Sequence, residues 1–196
     1  MSSTTASDVD LVGEETTLNV ARAALLAALT GAFAFVSFPI PVTSVNVTLQ
    51  VLGVFLAGIL LGPVWGGGAM VLYLAAGAVG APVFEGGSAG IGILLGGEPS
   101  FGYLWSYPVA AALVGYLVHG SSELRTPSEV SVLRLAVAMA AGVVVIYAFG
   151  VAGLMYALDL APVAAVFAGA VPFVPGELVK MAAAVAVVRN EAIRAG

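Results

Sequence analysis

Long apolar stretches that carry almost no charge are the feature of this sequence that most restricts its fold. Between Arg22 and Glu123 the charged side chains are those of Glu85 and Glu98. Over the 196 residues, 61% are hydrophobic and 9% are charged, whereas about a quarter of a soluble domain is charged. A membrane-spanning helix needs about 20 mostly apolar residues, whereas a transmembrane barrel shows short alternating segments. The sequence therefore predicts an all-α integral membrane protein that lies in the lipid bilayer.

Breaks rich in proline and glycine divide the apolar sequence into predicted transmembrane helices. The turn between the second and third helices is placed at Gly62 and Pro63, because proline suits the first position of a helix. Residues 81–100 form the most glycine-rich connection, and irregular backbone at membrane depth is tolerated only within protein or beside a cavity. We expect six transmembrane helices, with a short extra helix over 161–170, at residues 17–36, 48–61, 64–79, 101–119, 132–158 and 175–194.

The first 16 residues differ from the rest because they are polar and rich in Ser and Thr. Asp8, Asp10, Glu14 and Glu15 lie there and supply four of the eleven acidic residues. The segment lacks the basic start and apolar run of a signal peptide. We therefore predict a disordered acidic tail over residues 1–16, followed by one six-helix transmembrane domain over residues 17–196.

The distribution of cations predicts the orientation in the membrane. Six helices place the termini, the second turn and the loop between helices four and five on one side. Five of the six cations lie on that side, and cytoplasmic loops carry an excess of Lys and Arg. Both termini are therefore expected in the cytoplasm of a multi-pass plasma-membrane protein, with three cation-free connections outside. The six cations are Arg22, Arg125, Arg134, Lys180, Arg189 and Arg194.

A pair of charged residues marks the start of the last helix. Glu177 and Lys180 are three positions apart, so helical geometry places one above the other. Pro175 fits the first turn, where the helix dipole favours an anion. Charge is costly in hydrocarbon, so the pair predicts a site for a small ligand with both N–H donors and a carbonyl or carboxylate. The alternative is a structural ion pair that caps the helix.

Other candidate binding residues flank the connections that are predicted to face outward. Asn46, Thr48 and Gln50 offer neutral hydrogen bonds or cap the second helix. The glycine-rich stretch brings backbone close to a ligand or is simply flexible, and nearby aromatic rings form either an apolar wall or an interfacial belt. His119, at the other end of its helix, is interpreted as structural. The remaining candidates are Phe84, Gly86, Gly87, Ser88, Tyr103, Trp105 and Tyr107.

Several classes of function are excluded by what the sequence lacks. There is no Cys and one His, so no cysteine or multi-histidine metal site is expected within the chain. No Walker sequence or Gly-x-Ser-x-Gly motif is present, and no basic patch for nucleic acid is found. We therefore predict no catalytic residues, no metal and no cofactor, and do not expect an enzyme.

Four stretches of the sequence stand out, in order along the chain. They are PVTSVNVTLQ at 41–50 with its continuation to residue 63, YLAAGAVGAPVF at 73–84, PSFGYL at 99–104 and PFVPGELVK at 172–180. The fourth contains the charged pair, and the second precedes Gly86 and Gly87. Together they cover most of residues 18–190 and resemble BioY, the biotin-binding substrate (S) component of energy-coupling-factor (ECF) transporters.

The resemblance implies a six-helix ECF S-component fold with an outward biotin pocket. It implies that Glu177 and Lys180 bind the polar head of biotin, while Phe84, Tyr103 and Trp105 pack on its bicyclic ring. It also implies partners, namely a transmembrane coupling (T) subunit and ATPase subunits, which alone use ATP. The first helix carries small residues every fourth position, a spacing that allows close helix packing. In the family such residues dock onto the T subunit, which here are Ala24, Ala28 and Ala32.

Two departures from the family are visible in the sequence, and three alternative functions stay open. The family usually has Asp where Glu177 stands, and Glu98 adds a negative charge near the expected pocket mouth. The chain could be an S component for another vitamin, such as thiamin or riboflavin. It could instead be a non-transport membrane scaffold without a ligand. A membrane-embedded enzyme is the weakest alternative.

Overall fold

The computed structural model describes residues 13–39, 41, 43–121 and 124–190. Most of the predicted acidic tail and the predicted last turn beyond residue 190 therefore lie outside the described residues. Helix α1 spans Glu14–Phe33, so it begins three residues before the predicted start. Glu14 and Glu15 stand in its first turn, where negative charge is favoured by the helix dipole.

The described chain is almost entirely helical, with one small hairpin in the connection after α1. Strands β1 (Ser37–Phe38) and β2 (Val47–Thr48) pair antiparallel, with Ser37 opposite Thr48. The sequence predicted extended backbone here but no pairing. The remaining helices are α2 (Gln50–Ala78), α3 (Phe101–His119), α4 (Val132–Leu158), α5 (Pro162–Gly169) and α6 (Val174–Arg189).

Helix α2 reverses direction at the predicted turn. Gly62 has φ 75° and ψ −173°, a conformation that glycine adopts without steric cost. A Cβ atom added to Gly66 would lie 2.7 Å from the carbonyl oxygen of Ala57. Nine residues of straight helix span about 13 Å, so the two halves of α2 fold back against each other. The two predicted helices, 48–61 and 64–79, correspond to these halves.

Helix α3 lies between α2 and α4, and its glycines allow backbone to approach backbone. A Cβ atom on Gly115 would lie 2.4 Å from the carbonyl carbon of Gly62. A Cβ atom on Gly102 would lie 2.4 Å from the Phe149 carbonyl oxygen and 3.0 Å from the Gly153 Cα. These contacts fix α3 against both neighbours along most of its length.

Five stretches of the described chain are long and apolar enough to cross a membrane, by length and composition. The predicted number of six counts the two halves of α2 separately. Helix α1 carries two rows of small residues. One row, Ala23, Ala27 and Gly31, is buried against the rest of the protein. The other row, Ala24, Ala28 and Ala32, is exposed.

The predicted irregular connection over residues 81–100 is irregular in the structure. It contains a 3₁₀ turn at Glu85–Gly87 and a π-helical turn at Ile93–Gly97. The Gly86 amide donates to the Ala34 carbonyl at 3.2 Å, which ties this connection to the end of α1. The glycine-rich backbone therefore lies across the same end of the bundle as the start of α6, called here the Lys180 end.

The opposite end, called the His119 end, is closed by hydrogen bonds to backbone. His119 is buried, with 3% of its surface exposed. Its Nδ1 atom accepts the Arg125 N–H at 3.0 Å, so Nε2 carries the proton and donates to the Ile59 carbonyl at 2.8 Å. Ile59 lies in the last turn before Gly62, where helical carbonyls lack partners, and Pro63 has no N–H to donate. The imidazole therefore caps the first half of α2.

Two arginines at this end also donate hydrogen bonds to backbone carbonyls. Arg134 donates through Nε to the Leu117 carbonyl, and Arg189 donates through Nη2 to the Val130 carbonyl, each at 2.7 Å. Their guanidinium groups thus join α4 to α3 and α6 to the loop before α4. The predicted structural role of His119 agrees with this arrangement.

Candidate ligand-binding site

The charged pair predicted from sequence lies at the start of α6, facing the interior. Lys180 Nζ is 2.7 Å from Glu177 Oε1, and 3% and 5% of the two residues is exposed. Pro175 stands in the first turn, as predicted, and a 3₁₀ turn at Val171–Phe173 leads into the helix. Removing two charges from water costs several kcal/mol per ion before their attraction offsets it.

Two polar atoms beside this pair have no protein partner. Glu177 Oε2 and the Tyr147 hydroxyl are buried close to each other, and neither makes a hydrogen bond of good geometry within the part of the chain that is described. Most buried polar atoms are hydrogen-bonded, so each exception calls for an explanation. The carboxylate oxygen is an acceptor and the hydroxyl is both donor and acceptor. These atoms fit a ligand that brings N–H donors.

A cavity opens above these atoms between α2, α3, α4, α6 and the two connections at the Lys180 end. Its empty space is about 480 Å³ including the mouth, but about 40 Å³ is wide enough for the centre of a water molecule. Small-molecule sites usually measure roughly 300–1,000 Å³. The smaller of the two volumes is the one to compare with this range, so a bicyclic ligand requires the walls to move apart. The polar, charged and aromatic residues that line it include Asn46, Gln50, Glu85, Tyr103, Tyr107, Tyr147, Phe173, Glu177 and Lys180.

Three aromatic rings form one wall of the cavity. Tyr103 and Tyr147 meet edge to face with centroids 6.4 Å apart, and Phe173 lies 6.3 Å and 6.1 Å from them. The Tyr103 hydroxyl donates to the Gly169 carbonyl at 2.6 Å, which leaves its ring face and not its hydroxyl for a ligand. The wall thus offers apolar surface, with the Tyr147 hydroxyl as a polar tip.

Seven of the predicted site residues come together in this cavity: Asn46, Thr48, Gln50, Tyr103, Tyr107, Glu177 and Lys180. Within this group the Gln50 amide is already engaged. Its Oε1 accepts the Thr48 hydroxyl at 2.7 Å and its Nε2 donates to the Tyr73 hydroxyl. Tyr73 in turn donates to the Val83 carbonyl at 3.0 Å. Gln50 therefore shapes the wall and links it to the glycine-rich connection.

Four predicted residues of the glycine-rich connection do not line the cavity. Phe84 is 1% exposed and packs edge to face on Tyr73, with centroids 5.6 Å apart. Gly86 and Gly87 form the adjoining turn with positive φ, and Ser88 accepts the Phe84 N–H through its carbonyl at 3.0 Å. These residues support the wall from behind, and their direct contact with a ligand remains a prediction without support from this geometry.

Trp105 is placed away from the cavity. Its Nε1 atom donates to the Leu94 carbonyl at 2.8 Å, and 47% of the residue is exposed. It lines an apolar groove on the outer surface with Phe101 and Phe149. Two helical positions separate it from Tyr103, so the two rings point to nearly opposite sides of α3. Trp105 was predicted to pack on a ligand ring, but its position on the outer surface does not allow this contact.

Three lining residues with charged or aromatic side chains were not proposed as binding residues from sequence. Tyr147 and Phe173 stand in apolar surroundings that gave no signal beyond one aromatic ring each. Glu85 lies inside the glycine-rich connection, next to Phe84, and its charge in an apolar sequence was the available signal. Burial raises the pKa of the Glu85 carboxyl, the Asn46 N–H opposes this, and the charge of Glu98 raises that pKa further.

Comparison with known proteins places this arrangement in a class. A crystal structure of the S component for biotin from an ECF-type ABC transporter superimposes with a TM-score of 0.81, covering 94% of this chain and 95% of that one at 24% identity. The fold is therefore the ECF S-component fold. The family model for the BioY family matches residues 3–195, and the chain belongs to this family.

Relatives with curated descriptions agree with this assignment. The biotin transporter BioY of Rhodobacter capsulatus is 37% identical over 179 residues, 83% of this chain and 87% of that protein. The biotin transporter BioY of Rhizobium etli is 35% identical over 81% and 80%, and a probable biotin transporter BioY of Lysinibacillus sphaericus is 37% identical over 76% and 71%. A multi-pass membrane transport protein, and not an enzyme, follows from family and composition together.

Proposed function

We propose that this chain is the biotin-capturing S component of an ECF-type ABC transporter. The observation that carries the proposal is the buried Glu177–Lys180 pair, whose carboxylate keeps one oxygen without a protein partner. A ureido group presents N–H donors and a carbonyl acceptor side by side. Glu177 Oε2 accepts a ureido N–H, and Lys180 donates to the ureido carbonyl or pairs with the valerate carboxylate. The names of the curated relatives support biotin as the ligand.

The remaining groups fit the rest of the ligand. The rings of Tyr103, Tyr147 and Phe173 supply apolar surface for the bicyclic ring, and the Tyr147 hydroxyl supplies one further hydrogen bond. The cavity widens to admit the ligand, because its open space is now small. The contact that bridges the two connections over it is long, with Asn46 N and Glu85 Oε1 separated by 3.4 Å, and hydrogen bonds of this length are weak.

Transport further requires partners that bring ATP hydrolysis. We propose a T subunit and paired ATPase subunits, with Ala24, Ala28 and Ala32 as the docking stripe on α1. This stripe is exposed in the structure, and small residues let a partner helix come close. Cations Arg125, Arg134 and Arg189 gather at the His119 end, which supports a cytoplasmic position for that end and for both termini.

Isothermal titration of the full chain in detergent with biotin tests the proposal, with thiamin and riboflavin as competitors. We expect saturable biotin binding that neither other vitamin displaces. The variant Glu177→Gln should lose at least tenfold in affinity, because an uncharged amide offers its oxygen less strongly to N–H donors. Trp105→Phe is the matched control, because its ring lies outside the cavity. Absence of biotin binding by the folded protein would refute the proposal.

A further inference from the structure

The cavity carries more negative than positive charge. Its charged lining residues are Glu85, Glu177 and Lys180, and the ammonium group of Lys180 is already paired with Glu177 at 2.7 Å. No Lys or Arg nitrogen in the described part of the chain lies within ion-pairing distance of Glu85. The cavity therefore has a net charge of about −1 when both carboxyls are ionised.

The surroundings of Glu85 disfavour its charged form. The residue is half-buried in the turn over the cavity, and its carboxylate accepts the long contact from the Asn46 N–H. Burial and the nearby charge of Glu98 both raise its pKa, against the opposing effect of Asn46. The titratable groups that face it from the packed elements are Glu98, Tyr103, Tyr107, Tyr147, Glu177 and Lys180.

An anionic ligand makes this imbalance larger. A valerate carboxylate is ionised at neutral pH, so its entry sets three carboxylates against the single ammonium of Lys180. When carboxylates share a site, one of their pKa values rises strongly, and burial acts in the same direction. Glu177 is compensated by Lys180, whereas Glu85 is not. The carboxyl of Glu85 is therefore the group that most readily accepts a proton.

We propose that Glu85 takes up one proton from solution when the cavity captures a monocarboxylate ligand. The inference rests on the proposed function, since it takes biotin as the anion. Protonation converts Glu85 from a repelling charge into a neutral carboxyl that can donate a hydrogen bond. The captured complex then contains two carboxylates and one ammonium, the same net charge as the cavity before capture.

The sign of the pH effect follows from this linkage. Ligand binding raises the pKa of Glu85 above its value in the free protein. Affinity is therefore fully present below the free-protein pKa and falls as pH rises through the interval between the two pKa values. Within that interval the fall is at most about tenfold per pH unit for one proton. A ligand without a carboxylate lacks this dependence.

Titration calorimetry of the full chain tests the proposal between roughly pH 5 and 8, in phosphate and in Tris. We expect the affinity for biotin to fall as pH rises. The measured enthalpy should differ between the buffers by the amount that uptake of up to one proton predicts. Glu85→Gln should bind biotin with an affinity independent of pH and with no buffer effect. Biotinamide, which has no carboxylate, should give a flat profile with the unaltered protein.

The matched control is Glu98→Gln, which removes the neighbouring charge but keeps Glu85. It should retain the pH dependence, moved to lower pH, because the pKa of Glu85 is then raised less. A biotin affinity that is constant with pH in the unaltered protein would overturn the proposal. A Glu85→Gln variant that keeps the slope would overturn it too, because the proton would then reside elsewhere. Absence of biotin binding at every pH would instead refute the proposed function itself.

Discussion

His119 and Glu177, buried at opposite ends of the helix bundle, differ in how far the protein satisfies their polar atoms. At the His119 end, both ring nitrogens of His119 have backbone partners at 2.8 Å and 3.0 Å. At the Lys180 end, Glu177 Oε2 and the Tyr147 hydroxyl have none among the described residues. Both ends are buried, so exposure to solvent does not explain the difference.

The comparison separates a polar group that serves the fold from one that serves a ligand. An unsatisfied buried donor or acceptor costs about 1–3 kcal/mol. The structure bears this cost for Glu177 Oε2 and the Tyr147 hydroxyl, next to the cavity, and avoids it for both ring nitrogens of His119. Substitutions at the two ends should therefore divide into those that change stability and those that change affinity.

The largest effect is expected for Lys180→Met, which should reduce both properties. It leaves the Glu177 carboxylate buried without its cation, which costs about 3–5 kcal/mol of stability. Loss of the charged contact with biotin should cost about 2–5 kcal/mol of binding. Thermal unfolding in detergent and calorimetry with biotin measure the two effects.

The double variant Lys180→Met with Glu177→Gln is the control for this prediction. It has no unpaired charge, so most of the lost stability should return while biotin affinity stays low. An affinity loss of less than tenfold in the single variant would contradict the role of Lys180 as a ligand contact.

An intermediate effect is expected for His119→Phe, which should reduce stability alone. The ring is retained in size, but the Ile59 carbonyl and the Arg125 N–H lose their partner, at about 1–3 kcal/mol each. Biotin affinity should remain within about twofold, because the cavity lies at the other end. Thermal unfolding and calorimetry on the same preparation measure this, with Tyr116→Phe, an exposed position one turn earlier, as control. An affinity loss equal to that of Lys180→Met would erase the contrast between the two ends.

The smallest effect is expected for Tyr147→Phe, which should reduce affinity alone. The hydroxyl has no protein partner, so its removal should leave the unfolding temperature unchanged or slightly higher. A single hydrogen bond to the ligand contributes about 0.5–1.5 kcal/mol, so the dissociation constant should rise about two- to tenfold. Calorimetry with biotin measures it, and Tyr103→Phe provides the contrast, since that hydroxyl bonds to Gly169 and its loss should lower stability. Unchanged biotin affinity in Tyr147→Phe would show that the Tyr147 hydroxyl does not bind the ligand.

Helix boundaries were predictable where the local sequence stops a helix. Helices α3 and α4 span the predicted residues, 101–119 and 132–158. Gly120 ends α3 with φ 89°, and the Ser131 side chain accepts the Arg134 N–H at the start of α4. The Gly62 turn and the stacked Glu177–Lys180 pair were predictable for the same reason, because spacing and proline chemistry act over one helical turn.

Membership of the cavity was less predictable because it depends on which face of a helix meets which neighbour. Tyr103 and Tyr107 are four residues apart and share a face, while Trp105 between them points away. The sequence analysis grouped all three because they lie next to the glycine-rich connection. Helical spacing would have placed Trp105 on a different face from the two tyrosines. Tyr147 stands in a 27-residue apolar helix, and its partners come from α3 and the turn before α6. Such contacts depend on tertiary packing and leave no local signal.

The close approach of Gly102 to Gly153 restricts how the cavity can open. With no side chain between them, the backbones of α3 and α4 already touch at this level, and packed atoms resist compression. Helices α3 and α4, which carry Tyr103 and Tyr147, are therefore expected to keep their relative positions. Space for a ligand is expected to come from movement of the connections at the Lys180 end, including the turn that carries Glu85, and not from movement of α3 against α4.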